Sequence, residues 1–401
     1  MTEASRDLDL VLLGATGFVG RLTAAHLARH APAGMRIALA GRSQRRLDEV
    51  RTSLQVDWPV LVVDTADEES VARMAGRTTV VVTTVGPYLR YGMTVVAACA
   101  AAGTHYADLS GETAFVAESV RHHDAVARDS GARIVHSCGF DSVPSDLAMG
   151  LAHREAGGIP LIEATGQVRT LRGGISGGTV DSMRQQIIEA RTQPHLRQLI
   201  SDPYALCTRP PSLLPDSEWR GGIRRDPATR TWQAPFVMSP YNRQIVNRTN
   251  HLTGWGYGQH MRYREVVDTG RGLKGRARAA GLGVGIGALA AAMFFAPTRA
   301  LVDRFLPAPG EGPSEQTMAE GRFHLDVDAY PVSGPAVRAT VAAPYDPAYG
   351  GTAIMLAESG LALAGAEGGP GGVSTPMSAL GTVLPDRLRA HGFTVSAQTL
   401  E

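Results

Sequence analysis

Six apolar residues, Leu8–Leu13, run directly into Gly14-Ala15-Thr16-Gly17-Phe18-Val19-Gly20, and from there into an amphipathic stretch ending near His30. A strand, a G-x-x-G-x-x-G turn and a helix in immediate succession leave few folds open. Gly14 permits the tight turn, Gly17 allows close backbone approach to a ligand, and Gly20 lets helix and strand pack closely. The free N–H groups at the helix start then face a phosphate. The same rhythm continues downstream. Met35–Ala40, Pro59–Val63, Thr79–Val85, His105–Leu109 and Arg133–His136 read as strands, with helix-length stretches near 43–54, 67–75, 91–102 and 113–130 between them. Thr79–Val85 is β-branched throughout, as expected of a strand covered on both faces. Such repeats predict an α/β fold with a Rossmann-type, doubly wound parallel sheet over residues 1–150.

After Gly157 the pattern changes. Leu161–Thr170 and Phe323–Val332 alternate like half-exposed antiparallel strands separated by Gly/Pro-rich turns. Residues 151–349 therefore read as a second, mixed α+β domain for substrate binding or dimerisation. Two helical stretches, Thr352–Ala366 and Met377–Gly392, close the chain, and residues 350–401 are expected to pack back on the first domain.

Composition excludes several functions. Lys+Arg is 39 against 38 Asp+Glu, so no basic excess exists to neutralise a phosphate backbone, and nucleic acid is not expected as a partner. Lys274 is the only lysine, which rules out Walker-type phosphate binding and Schiff-base chemistry at a motif lysine. Cys99, Cys138 and Cys207 form neither a disulfide framework nor a CxxC pair, and no His/Cys/Asp spacing suggests a metal. The start, MTEASRDLDLVLLG, is not a signal peptide, and a cytoplasmic location is expected.

Glycine turns of this kind hold dinucleotides, so Gly14, Ala15, Thr16, Gly17, Phe18, Val19 and Gly20 are the expected cofactor cradle. The second strand ends in Ala40-Gly41-Arg42-Ser43 rather than in the acidic residue that binds a ribose 2′-hydroxyl. Arg42 and Ser43 can hold a 2′-phosphate, which predicts NADP(H); the alternative is an arginine that merely caps the next helix. Asp64 is either an adenine-edge contact or a solvated turn residue. Gly86 and Pro87 follow the fourth strand, where they would meet the nicotinamide side, with Tyr88 either facing the cleft or packing beneath it.

Taken in order, GATGFVG, AGRS, TVGPY, HYADLSGE (105–112), CGFDSVPSD (138–146), SGGTVDS (176–182) and GGVSTPMSALG (371–381) resemble the saccharopine dehydrogenase-like oxidoreductases. The resemblance points in particular to the branch that includes trans-acting enoyl reductases of complex-lipid biosynthesis. It implies an NADP-binding Rossmann domain and a second domain bearing the substrate site. It does not imply saccharopine, because only the fold and the cofactor site are broadly shared, and where saccharopine-forming relatives use a catalytic lysine this chain has none before Lys274.

Ala279–Thr298 carries no charged residue, while Lys274, Arg276, Arg278 and Arg299 flank it. Its length is close to the ~20 residues that span hydrocarbon. It reads as a buried core helix, as a helix lying on a membrane surface at the inner face of the plasma membrane, or as a span. Gly281, Gly283, Gly285 and Gly287 leave room for close helix packing, including a homodimer contact.

An enoyl reduction places a hydride on the β-carbon and a proton on the α-carbon. Tyr88 and His105 are the first candidates for the proton donor, with Tyr106, Asp108, Glu112, Cys138 and Asp141 behind them. Asp141 also reads as an N-cap, Cys138 as a core residue, His122-His123 as surface, and Gly177-Gly178-Thr179 as a turn facing the nicotinamide or a plain one. The leading reading is an NADPH-dependent reductase of an unsaturated lipid or polyketide-type intermediate, free or carrier-bound. A soluble dehydrogenase of a small imino or carbonyl compound, and a non-catalytic NADPH-binding lipid-surface protein, are the alternatives.

Overall fold

The computed structural model describes residues 6–173, 193–211, 222–227, 229–294, 298, 312–366 and 368–400. Its first sheet is wholly parallel. The amino-terminal part supplies β1 (Leu8–Leu13), β2 (Ile37–Gly41), β3 (Val60–Val62), β4 (Thr78–Thr83), β5 (His105–Ala107) and β6 (Arg133–Val135). The second sheet contains β7 (Leu161–Arg172), β8 (Arg224–Arg225), β9 (Thr231–Pro235), β10 (Arg262–Arg271), β11 (Arg322–Pro331) and β12 (Val337–Ala343). Two late strands divide between the sheets: β13 (Gly372–Ser374) joins the first and β14 (Thr394–Thr399) the second.

In the first sheet the order is β13-β6-β5-β4-β1-β2-β3. The chain builds outward from β1 to β3, then returns to β4 on the other side of β1, so the strand order reverses between β1 and β4. Ligands of open α/β sheets bind beyond the carboxyl ends of strands at such a reversal. The sheet forms because its strands can be covered on both faces: Leu10, Val11, Leu12, Val80, Val81 and Val82 are all fully buried.

The second sheet runs β14-β12-β11-β7-β10-β9-β8 and is antiparallel apart from the β7–β10 pair. One face, including Leu325, Val327, Ala339 and Val341, is buried in the core, and the helix Val143–Glu155 packs on these strands. The other carries a charged ladder in which Arg338 donates to Asp328 at 2.6 and 2.8 Å and Arg169 bridges Asp326 and Asp268. This is the Rossmann-type sheet plus mixed second sheet that the alternating pattern predicts.

Two expectations need correction. The single helix expected over Met377–Gly392 is two, Pro376–Leu380 and Leu384–Ala390. Pro385 in the first turn of the second has no N–H to donate to a preceding carbonyl, so it starts a helix rather than continuing one. The apolar segment belongs to a longer helix, Gly272–Phe294, but it is not a core helix. Only Gly275 and Ala279 are buried along its described length, while Leu273 and Val284 stand 83% and 72% exposed. Arg276 lies over the Trp232 ring at 5.6 Å, anchoring the first turns on β9. No helix among the described residues is long and apolar enough to cross a membrane.

Candidate active site

At the carboxyl edge of β1, Gly14 adopts φ +87°, and its N–H donates to the Ala40 carbonyl at 2.9 Å. The Thr84 hydroxyl donates to the Gly14 carbonyl at 3.1 Å. The turn is tight enough that a Cβ on Gly20 would lie 2.1 Å from that same carbonyl oxygen. Helix α1 (Phe18–His30) then begins with Gly17 as its N-cap and no side-chain cap. Helix α2 (Gln44–Leu54) differs, because Ser43 accepts from the Arg46 N–H. The first-turn N–H groups of α1 thus lack a side-chain partner and are free to meet an anion. Ala15 is buried beneath the turn, Thr16 and Val19 are half-buried, and Phe18 meets Tyr349 edge-on at 4.9 Å. A turn with no room for a Cβ at Gly14 or Gly20 and an uncapped helix start fit a dinucleotide pyrophosphate.

Arg42 follows β2 at the same edge, exposed and without a partner among the described residues. Arg46, one turn into α2, is also exposed and its guanidinium is unpaired, a second cation that the sequence reading passed over. Ser43 is committed to capping α2. Asp64 is exposed after β3 and accepts from the Ala66 N–H at 3.0 Å.

Gly86 and Pro87 follow β4 and are joined by a cis peptide. The next turn is clamped by Glu112, whose carboxylate accepts the N–H groups of Tyr88 and Leu89 at 2.9 and 2.8 Å. The sequence reading takes Tyr88 as a proton donor, and the structure corrects this. The phenol is buried, donates to the Thr83 carbonyl at 3.3 Å and accepts from the Leu109 N–H at 3.1 Å. Burial and nearby Asp108 hold its pKa well above the usual phenol range. Tyr88 therefore props the turn from below.

His105 also needs correction. It opens β5 level with Val80 and Leu10, four residues short of Gly14. At ~3.3 Å per residue that is about 13 Å from the carboxyl edge, toward the amino end of the strands and away from the cofactor turn. Its Nδ1 accepts from the Arg133 N–H at 3.1 Å, and burial with nearby Arg133 lowers its pKa to about 4.

Asp108 is fully buried, taking the Tyr106 hydroxyl at 2.9 Å and His136 Nδ1 at 2.7 Å, with Ser119 behind that histidine. Cys138 is buried, and its thiol is directed at the Val135 carbonyl. Both belong to the scaffold. Gly177-Gly178-Thr179 lies outside the described residues.

Asp141 stands apart. It sits in the loop between β6 and the helix Val143–Glu155, beyond the carboxyl end of the sheet, and Ser142 rather than Asp141 occupies the N-cap. Its carboxyl is half-buried and has no hydrogen-bond partner among the described residues; a Cβ at Gly111 would come 3.8 Å from its Oδ2. Burial raises its pKa to about 6. Its neighbour Phe140 lines a pocket together with Ser145, Val168, Thr170, Asn242 and Phe323, at the seam between the two sheets.

Comparison with known proteins identifies the family. Residues 10–135 match the saccharopine dehydrogenase NADP binding domain. A trans-acting enoyl reductase of Mycobacterium bovis is 41% identical over 419 residues, covering all of both chains. One from Mycobacterium ulcerans is 40% identical over 423 residues, again covering both chains completely. This chain belongs to the trans-acting enoyl reductase family. It is an NADP-dependent oxidoreductase. The yeast L-Glu-forming saccharopine dehydrogenase shares its fold, with a TM-score of 0.54 over 98% of this chain and 99% of that one, at 12% identity.

The shared motifs noted in the enzyme's sequence turn out to be fasteners. Asp146, closing the 138–146 motif, accepts the Thr249 hydroxyl and the Met377 N–H, so it holds the first turn of the Pro376–Leu380 helix of the 371–381 motif. Asn242 joins Ser142, Ser145 and Glu265. These contacts lock the Asp141 loop to both sheets.

Proposed function

We propose that the enzyme reduces the C=C bond of an enoyl thioester on a long acyl or polyketide-type chain, with Asp141 protonating the α-carbon. NADPH bound at the glycine turn supplies the hydride for the β-carbon. The observation that carries the reading is the Asp141 carboxyl: without a partner among the described residues, beyond the carboxyl edge, and held half-protonated near pH 6. An ordinary carboxylate would be ionised and unable to donate at neutral pH. The neighbouring Phe140 meets Phe323 edge-on at 4.8 Å, which supports apolar surroundings on that side of the carboxyl.

The test is direct. Purified enzyme incubated with NADPH and trans-2-dodecenoyl pantetheine should convert it to a product two hydrogens heavier. Deuterium from 4-deuterated NADPH should appear at the β-carbon. Turnover with imines or ketones but not with the enoyl thioester would reject the reading.

The Gly272–Phe294 helix supports a place at a membrane surface. It exposes Leu273, Val284 and Leu289, with Arg271, Lys274, Arg276 and Arg278 at its start, which suits an anionic leaflet. Wild-type enzyme should pellet with phosphatidylglycerol vesicles. Val284→Asp/Leu289→Asp should reduce the pelleted fraction more than tenfold, because each side chain contributes ~1.5–3 kcal/mol on burial. Wild-type enzyme that stays in the supernatant removes the membrane from the proposal.

A further inference from the structure

Far from the carboxyl edge, three imidazoles converge on one buried carboxylate. His26 and His30 lie four residues apart on α1, hence on one face of that helix. The helix Thr352–Ala364 packs against α1 and presents Glu358, which is 1% exposed, to that face. His391 arrives from the turn after the Leu384–Ala390 helix. His26 Nε2 is 2.7 Å and His391 Nε2 is 2.9 Å from the same atom, Glu358 Oε1. The His30 ring centre stands 4.5 Å from that of His26 and 4.6 Å from that of His391. Arg387 Nε holds the other oxygen, Oε2, at 2.7 Å.

We propose that His26, His391 and Glu358 form a zinc-binding site, with a fourth position open to water or to His30. Two imidazole nitrogens and one carboxylate oxygen are a zinc donor set, and three protein ligands with an open fourth position are an established coordination for that ion. All three ligand atoms lie within 4.8 Å of one another. Zinc bonds of ~2.0–2.2 Å at tetrahedral angles place ligand atoms about 3.3 Å apart, so each imidazole nitrogen needs to part from Glu358 Oε1 by about half an ångström. His391 is the partly exposed member and can supply that movement. Arg387 acts from outside the ligand set, fixing the carboxylate so that Oε1 alone points inward. An ion here would tie α1 to the carboxyl-terminal segment. The site also lies about 12 Å along α1 from the glycine turn, at 1.5 Å per residue, so it is separable from cofactor binding.

The experiment uses the untagged full chain, stripped with EDTA and titrated with zinc against a competing chelator, with bound zinc measured by mass spectrometry. About one zinc per chain is expected, together with a zinc-dependent rise in Tm. His391→Gln should weaken binding by more than the ~10–100-fold that outer-shell changes cause. His26→Gln should do the same, and His122→Gln, a surface histidine on another helix, should change nothing. His391 is only partly buried, so that variant keeps the test alive even if His26→Gln misfolds; NADPH affinity within twofold of wild type certifies its fold. Equal zinc uptake by wild type and His391→Gln, or no uptake by wild type, overturns the site.

Discussion

Asp141→Asn is expected to lower kcat for enoyl reduction by about 10²–10⁴, the usual loss when a positioned acid is removed, while NADPH affinity stays within about twofold. The asparagine keeps the shape of the side chain and loses the transferable proton. The pH profile gives the sharper readout. With a pKa near 6, the wild-type donor is protonated below that value, so kcat should be highest below pH 6 and fall about tenfold per unit above it. The asparagine variant should lose that slope. Stability should also fall with pH, over a lower window. The folded state raises this carboxyl from 3.8 to about 6, so folding favours the protonated form, and stability declines as pH rises between those two values. At pH 8 the ionised, half-buried carboxylate opposes folding in full, and the variant should melt about 1–3 °C higher than wild type; below pH 4 the two should coincide. Asp146 is the control. Burial also raises it to about 6, yet it accepts from Thr249 and Met377, so Asp146→Asn should destabilise the protein without flattening the pH profile. Unchanged kcat and slope in Asp141→Asn would remove Asp141 from the chemistry.

The fold was legible because it rests on local signals. Strands covered on both faces are apolar along their whole length, helices between them repeat at 3.6 residues, and Gly14, Gly17 and Gly20 mark a turn whose sterics admit nothing larger at Gly20. The candidate site was legible as an edge and not as a set of side chains. Tyr88, after the Gly-Pro turn, read correctly as lying at the carboxyl end of β4, but no pattern in the chain tells whether its phenol faces the cleft or the Thr83 carbonyl. His105 failed for a related reason: the HYADLSGE motif straddles β5, and only the register against Val80 puts the histidine at its far end. Asp141 was discounted because an aspartate just before a helix is usually its cap, and here the cap position falls one residue later. The cluster at His26, Glu358 and His391 was out of reach because His26 lies 332 residues before Glu358, and only the fold brings them together.

Arg42→Ala should weaken NADPH binding about 10–100-fold and leave NADH binding within about twofold, collapsing the preference for the phosphorylated cofactor. The magnitude follows from charge-assisted hydrogen bonds, ~1.5–3 kcal/mol each, given up when the guanidinium leaves a 2′-phosphate. The position favours it: β2 lies beside β1, its last residue Gly41 pairs with Val62, and Arg42 is the first side chain beyond the edge. Exposure keeps the change from disturbing the core, so the loss should be confined to affinity. Arg46 stands one helical turn away and is equally free, so Arg42→Ala/Arg46→Ala should lose more than either variant alone. Titrations of both cofactors by fluorescence, at low salt and at 0.5 M NaCl, separate the contributions, since the 2′-phosphate contact is ionic and should weaken with salt in wild type but not in the double variant. An unchanged NADPH/NADH ratio in Arg42→Ala alone would shift the 2′-phosphate to Arg46. The same result in the double variant would leave the preference to the backbone N–H groups at the start of α2, which Ser43 caps only weakly at 3.5 Å.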